Sequence, residues 1–153
     1  QAQIKAKTAI REYLGIVYGS PTHNEGKIDL PIGRHPIDRQ KMAVVSTEKG
    51  GRKAVTHWQV KERLGNYSLI NFRLETGRTH QIRVHSSYIG HPIVGDPAYT
   101  ANRSVGVNLS GQALHAWKLI LQHPVSGIWI ESIAPVPKEF TKLLEVLRHR
   151  LGS

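Results

Sequence analysis

The sequence predicts an α+β fold, mainly antiparallel β-sheet with helices packed on it. Three observations carry that reading. Period-2 apolar alternation recurs along the chain, the connections between the alternating runs are rich in turn formers, and the C-terminal segment alone shows a sustained 3.6-residue apolar period. With 153 residues, 39% hydrophobic and 21% charged, the chain has the size and composition of one folded domain, here read as spanning 1–153.

Residues 8–19 form the first strand, with Ile10, Leu14, Ile16 and Val17 around two tyrosines, stopped by Gly19-Ser20-Pro21. A short strand follows at 26–30. Pro31, Gly33 and Pro36 then impose a polar loop that concentrates Arg34, His35, Asp38, Arg39 and Lys41. Residues 53–64 place Ala54, Thr56, Trp58 and Val60 on one side, and residues 67–76 turn Ile70, Phe72 and Leu74 inward, so the two runs read as an antiparallel hairpin about Gly65-Asn66. A helix is predicted after Gly77, capped by Thr79, burying Ile82 and Ile89 and ending at Gly90-His91-Pro92.

Residues 94–111, with Gly95-Asp96-Pro97 and a tract of Asn, Ser and Gly, read as a long functional or mobile loop. Strands at 114–122 and 128–133 flank the turn His123–Gly127. After Ala134-Pro135-Val136-Pro137, Phe140, Leu143, Leu144, Leu147 and Leu151 recur at helical spacing and define a final helix.

Twenty-one Lys and Arg stand against eleven Asp and Glu, a formal charge of +10, which raises the local concentration of polyanions and makes nucleic acid the expected partner class. The excess is spread over the whole length and forms no basic tail. Cysteine is absent, which excludes a disulfide scaffold and thiolate chemistry and fits a reducing compartment, the cytoplasm, or an organelle reached by a removed transit peptide. No apolar run reaches the roughly 18–20 residues of a bilayer span, so no membrane association is expected.

Arg78-Thr79-His80-Gln81-Ile82-Arg83-Val84-His85 is the densest polar segment, expensive to bury unless an anion or carboxylate satisfies its donors. A helix start with arginines beside it also suits a phosphate, although a solvated helix face accounts for the pattern equally well. His80, His85 and His91 are spaced by five and six, not by the i, i+4 of helical zinc pairs, so no metal is expected. No Gly-x-Ser-x-Gly elbow and no phosphate-cradling glycine loop occur, and Asp96 between Gly95 and Pro97 reads as a turn former. Tyr13, on the first strand, reads as packing or as a platform for an RNA base.

The string Leu74-Glu75-Thr76-Gly77-Arg78-Thr79-His80-Gln81-Ile82-Arg83-Val84-His85, followed by Gly90-His91-Pro92-Ile93-Val94-Gly95-Asp96-Pro97-Ala98-Tyr99, resembles the third motif of the RluA/RluD-type RNA pseudouridine synthases. Further matches, among them Arg11-Glu12-Tyr13, Pro31–Pro36, Lys41–Val44, Ala54–Trp58 and Gln112–Ala116, extend the resemblance over most of residues 8–138. It implies uridine isomerisation in RNA, most readily ribosomal RNA, by cleavage of the N1–C1′ bond and rejoining through C5, with no metal and no cofactor.

The family's catalytic aspartate lies in an H-R-L-D-x-x-[ST]-G motif that is absent here, upstream of the strand matched by Arg11-Glu12-Tyr13. The resemblance thus implies the C-terminal portion of a pseudouridine synthase catalytic domain, inactive alone. It places Tyr13 on the tyrosine that stacks on the target base and acts in proton removal at C5. It places Arg83 on the arginine that ion-pairs with the catalytic aspartate, a partner Arg83 would here lack. Arg78, Thr79, His80 and Gln81 become candidates for the pocket or for RNA phosphates, and Arg34, His35, Arg39 and Lys41 for phosphate contacts. Two alternatives stay open: a non-catalytic basic RNA-binding module of the same fold, and a general nucleic-acid binder. A domain missing strands exposes sheet edges, so self-association is expected.

Overall fold

The computed structural model describes residues 9–100 and 103–152. Its centre is a six-stranded antiparallel sheet ordered β2-β5-β6-β1-β7-β8. These are β1 (Ile10–Tyr18), β2 (Glu25–Asp29), β5 (Val55–Arg63), β6 (Tyr67–Leu74), β7 (Leu114–Gln122) and β8 (Trp129–Ile133). The expected β5–β6 hairpin closes at Gly65, whose φ of +72° is the left-handed conformation that favours glycine. Residues 1–8, where the first predicted strand begins, lie outside the described residues.

The segment predicted as a loop after Leu30 contains a second, two-stranded sheet, β3 (Ile32–Arg34) with β4 (Met42–Val44). Each strand is three residues long, too short for an alternating pattern to register. The basic residues therefore sit on a hairpin tip, closed by the amide of His35 donating to the carbonyl of Lys41.

Side-chain alternation along β1 sends Ile16 and Tyr18 to one face and Val17 to the other, and each face takes a helix. On the first face α2 (Lys138–Leu151) buries Phe140, Leu143, Leu144 and Leu147, each worth about 1.5–3 kcal/mol of apolar burial. Leu151, predicted on the same stripe, is half exposed, its tip lying against the Gly65 turn between β5 and β6. On the second face α1 (Gln81–Tyr88) sets Ile82 against Val17, Ile70 and Phe72. Val84, one position around the helix from Arg83, packs beneath the β3–β4 hairpin with Ile32 and Ala54.

The predicted mobile loop is pinned at its start. Beyond Gly15, β1 loses β7 as a neighbour and pairs with residues 92–94: Tyr18 donates to the Pro92 carbonyl and Val94 to that of Ile16. Ile93, Val94 and Asp96 are fully buried. This threading brings Asp96 under α1.

Candidate active-site cleft

Helix α1 starts where a polar network requires it to. Gln81, 3% exposed, accepts from Thr76 Oγ1 at 2.7 Å and from the Arg78 amide at 3.0 Å, and donates to the Val55 carbonyl and Thr56 Oγ1. The Thr56 hydroxyl, having accepted from Gln81, donates to Nδ1 of His85 at 2.8 Å, and His85 Nε2 donates to the Leu30 carbonyl at 2.9 Å. With His85 neutral and its proton on Nε2, every donor and acceptor in this chain is used, including the Thr56 hydroxyl proton. Burial lowers the pKa of His85 in the same sense.

Two expectations are corrected here. Thr79 is exposed and caps nothing; the residue before the helix is His80, in the left-handed region at φ 57°. Gln81, a candidate for RNA contact, spends its amide on the helix–sheet junction and has nothing left to offer a phosphate. Gln81 and His85, four apart, face the sheet, so Arg83 between them faces outward along the opposite edge.

Arg83 also departs from expectation, for it has a carboxylate partner. Its Nε donates to Asp96 Oδ2 at 2.8 Å and its Nη2 to Asp96 Oδ1 at 3.0 Å, with the Asp96 side chain wholly buried and that of Arg83 14% exposed. This bidentate pair raises the arginine's pKa, chiefly through the hydrogen bonds it donates to Asp96. Asp96 fulfils the predicted turn role as well, accepting from the Ala98 amide. The thirteen-residue separation of the pair kept it out of reach of local pattern reading.

The Tyr99 ring lies against Arg83, 5.2 Å from the guanidinium carbon, and Lys41 Nζ approaches the same ring at 5.2 Å. The Tyr99 hydroxyl meets His80 Nδ1 at 3.0 Å and both backbone groups of Met42 on β4. Burial, followed by the charge of Arg83, lowers the pKa of His80. Tyr99 thus ties the basic hairpin to the start of α1, a role no sequence signal assigned to it.

These elements enclose a cleft of about 330 Å³ lined by Arg11, Tyr13, Gly77, Arg78, His80, Gln81, Arg83 and Gln112 over an apolar floor of Leu74, Ile82 and Leu114. Tyr13 and Arg83 share it, with Arg78, His80 and Gln81. Thr79 lies outside the lining, as do the hairpin residues Arg34, His35, Arg39 and Lys41. On the hairpin, Arg34 and Arg39 each bond one loop carbonyl, and His35 Nδ1 accepts two loop amides. The lining holds three guanidiniums and no carboxylate. Asp96 cannot act as a nucleophile from its buried position, both oxygens already bonded.

A larger depression of about 510 Å³ lies on the opposite face of the sheet, lined by Glu12, Glu25, Lys27, His57, Asn71 and Arg73. Its charges are mixed and several are mutually satisfied, Glu12 by Asn71 and His57 by Glu75. The uncompensated positive charge converges in the smaller cleft. Among the described residues no three His, Asp or Glu side chains form a metal-binding group, and no helix is long and apolar enough to cross a membrane.

The model of the RNA pseudouridylate synthase family matches residues 1–88. An RNA pseudouridine synthase of Synechocystis is 63% identical over 151 residues, 99% of this chain and 46% of the relative. The ribosomal large subunit pseudouridine synthase D of Nitrosomonas europaea is 44% identical, over 96% of this chain and 43% of its own length. Among solved structures, human RNA pseudouridylate synthase domain containing 4 superposes with a TM-score of 0.76 at 26% identity, covering 97% of this chain and 66% of that one. The chain spans about half the length of the curated relatives it matches.

Proposed function

The chain belongs to the RNA pseudouridylate synthase family, and from that premise we propose that it is the C-terminal portion of a catalytic domain that isomerises uridine in ribosomal RNA. The observation that carries the reading is the convergence of Tyr13 from β1 and Arg83 from α1 on one cationic cleft. Tyr13 offers its ring to the target base and its hydroxyl to proton removal at C5.

Arg83 has a division of labour within one guanidinium. Asp96 occupies the Nε–Nη2 edge, fixing the plane, while the Nη1 edge stays available for the carboxylate of an aspartate supplied by another segment. A second carboxylate there would be oriented and held ionised. That aspartate is the nucleophile in this proposal, because the lining contains none. The exposed hairpin cations Arg34 and Arg39, with the half-buried Lys41 and Arg78, then position RNA through its phosphates.

The absence of a carboxylate from the lining favours one alternative, a non-catalytic RNA-binding module. The two separate on a single experiment. These 153 residues should form no pseudouridine in ribosomal RNA transcripts. Joined to an upstream segment bearing the family's aspartate motif, they should form it, and Tyr13→Phe or Arg83→Ala should abolish conversion. Conversion by the 153 residues alone would overturn the missing-nucleophile assignment; no conversion in the extended protein would favour the binding module. We propose in addition that the bare β8 edge causes self-association wherever nothing covers it.

A further inference from the structure

We propose that Arg11 seats a phosphate of the RNA, that of the nucleotide whose base lies on Tyr13. The proposal rests on the stacking role given to Tyr13 above and adds a residue to that site. Arg11 and Tyr13 are two apart on β1, so they share a face, and both line the cleft. Arg11 Nε is the one buried side-chain nitrogen or oxygen among the described residues that has no hydrogen-bond partner. A charged group with a buried, unpaired donor is destabilising, and an anion at the other nitrogens of the guanidinium would offset that cost by neutralising its charge.

The surroundings specify an anion. Arg78 and Arg83 line the same space without a lining carboxylate, and Asp96 neutralises Arg83 alone. Arg78 spends its Nε on the Lys53 carbonyl, which leaves its charge uncompensated. The Arg11 guanidinium lies on the backbone of Gly77 so closely that a Cβ there would collide with its Nη1. Gly77 has an ordinary φ, so a Cβ at this position would meet only the mobile end of Arg11 and would displace that guanidinium without straining the backbone.

A phosphate fits better than a protein carboxylate. The carboxylate the reaction needs is already claimed by the open edge of Arg83. A base on Tyr13 carries its own phosphate along with it, and Arg11 stands about 6.8 Å further along the strand, on the order of the reach from base to phosphate within one nucleotide. The arrangement reads base and backbone of a single extruded nucleotide from alternate positions of one strand.

The test uses the full chain and a stem-loop RNA with one loop uridine, made with a neutral methylphosphonate at each phosphate flanking that uridine in turn. Arg11→Gln should weaken binding about tenfold at 0.1 M salt and reduce the slope of log K against log salt by about one. One methylphosphonate should weaken wild-type binding by a similar factor and weaken Arg11→Gln no further. Gly77→Ala, which displaces the guanidinium and keeps its charge, should reproduce part of the loss with an unchanged melting temperature. It carries the test if Arg11→Gln fails to fold. Losses that add at every phosphate, or an unchanged salt slope accompanied by a lowered melting temperature, would overturn the proposal. Tyr13→Ala separates the two levels: if it binds as wild type while Arg11 stays coupled to one phosphate, the stacking role fails and the phosphate seat stands; the reverse pattern removes the seat alone.

Discussion

Strands β6 and β8 belong to the same sheet and both carry large apolar side chains, yet Ile70 and Phe72 are 2% and 1% exposed while Trp129 and Ile130 are 53% and 48% exposed. Around β6 each apolar residue meets α1 or α2, and each buried polar group of the Thr76–Gln81–Thr56–His85 chain has a partner. Around β8 the hydrogen bonds to β7 are complete but all five residues lie open on both faces. Alternation and β-branched content are enough to make a strand; burial depends on what is laid over it. The covered half is where the cleft has its walls, and the uncovered ribbon leaves large apolar side chains open to solvent.

Breaking the covered half at its charged point should have the largest effect. Asp96→Asn removes the carboxylate that holds Arg83, and loss of one member of a buried pair costs on the order of 3–5 kcal/mol. Chemical denaturation should show that loss. The control is Arg148→Ala, whose partner Glu62 forms an ion pair with both side chains well exposed (49% and 34%); it should cost no more than about 1 kcal/mol. Equal losses in the two variants would mean that the cleft wall is no better built than the surface.

Gln81→Ala should rank next. It leaves Thr56, Thr76, the Val55 carbonyl and the Arg78 amide each short of a partner, with a cost of about 2–3 kcal/mol. Because the same amide orients Thr56 toward His85, the variant should also loosen α1, seen as faster amide exchange across residues 81–88 than elsewhere in the chain.

The two halves also differ in how much of them the sequence discloses. The bounds of β7 and the turn after it follow from alternation and from His123–Gly127, and four of the five predicted apolar positions of α2 are buried. What escapes is whatever depends on non-local pairing. The β3–β4 hairpin escapes because three-residue strands have no period, and the Arg83–Asp96 pair because thirteen residues separate its members. Gln81 shows a third reason: a side chain in a polar cluster can face inward to hold a helix or outward to hold RNA, and composition is the same in both cases. Tyr13 and Arg83 are legible only through their match to family motifs, and the structure brings them to one cleft.

A smaller effect should appear on acidification. The pKa of His85 lies below the ordinary imidazole value, chiefly through burial, so on unfolding the ring takes up protons that the folded state refuses. Stability is therefore full above the unfolded value of about 6.5 and declines as pH falls from there toward the depressed folded value. A melting series from pH 8 to 5 should show this decline, and His85→Gln, less stable at pH 8, should show a shallower one. His80, also lowered, remains in both proteins and cancels from the difference. Parallel curves would mean that His85 is not held neutral by the network.

The uncovered half should respond in association and barely in stability. Trp129→Glu with Ile130→Lys replaces two open apolar side chains on β8, and exposed substitutions of this kind shift folding by about 0.5 kcal/mol or less. The same charges on an edge strand oppose pairing with a second edge. If the ribbon is the surface through which the chain self-associates, sedimentation of the wild type should show a concentration-dependent mass that the double variant lacks, while their melting temperatures agree. A wild type that sediments as a monomer at all concentrations would remove self-association and leave the apolar ribbon to be explained by a covering segment of the same polypeptide. The extended protein supplies that comparison directly, since a covered β8 should resist limited proteolysis at residues 123–133 and an open one should be cut there first.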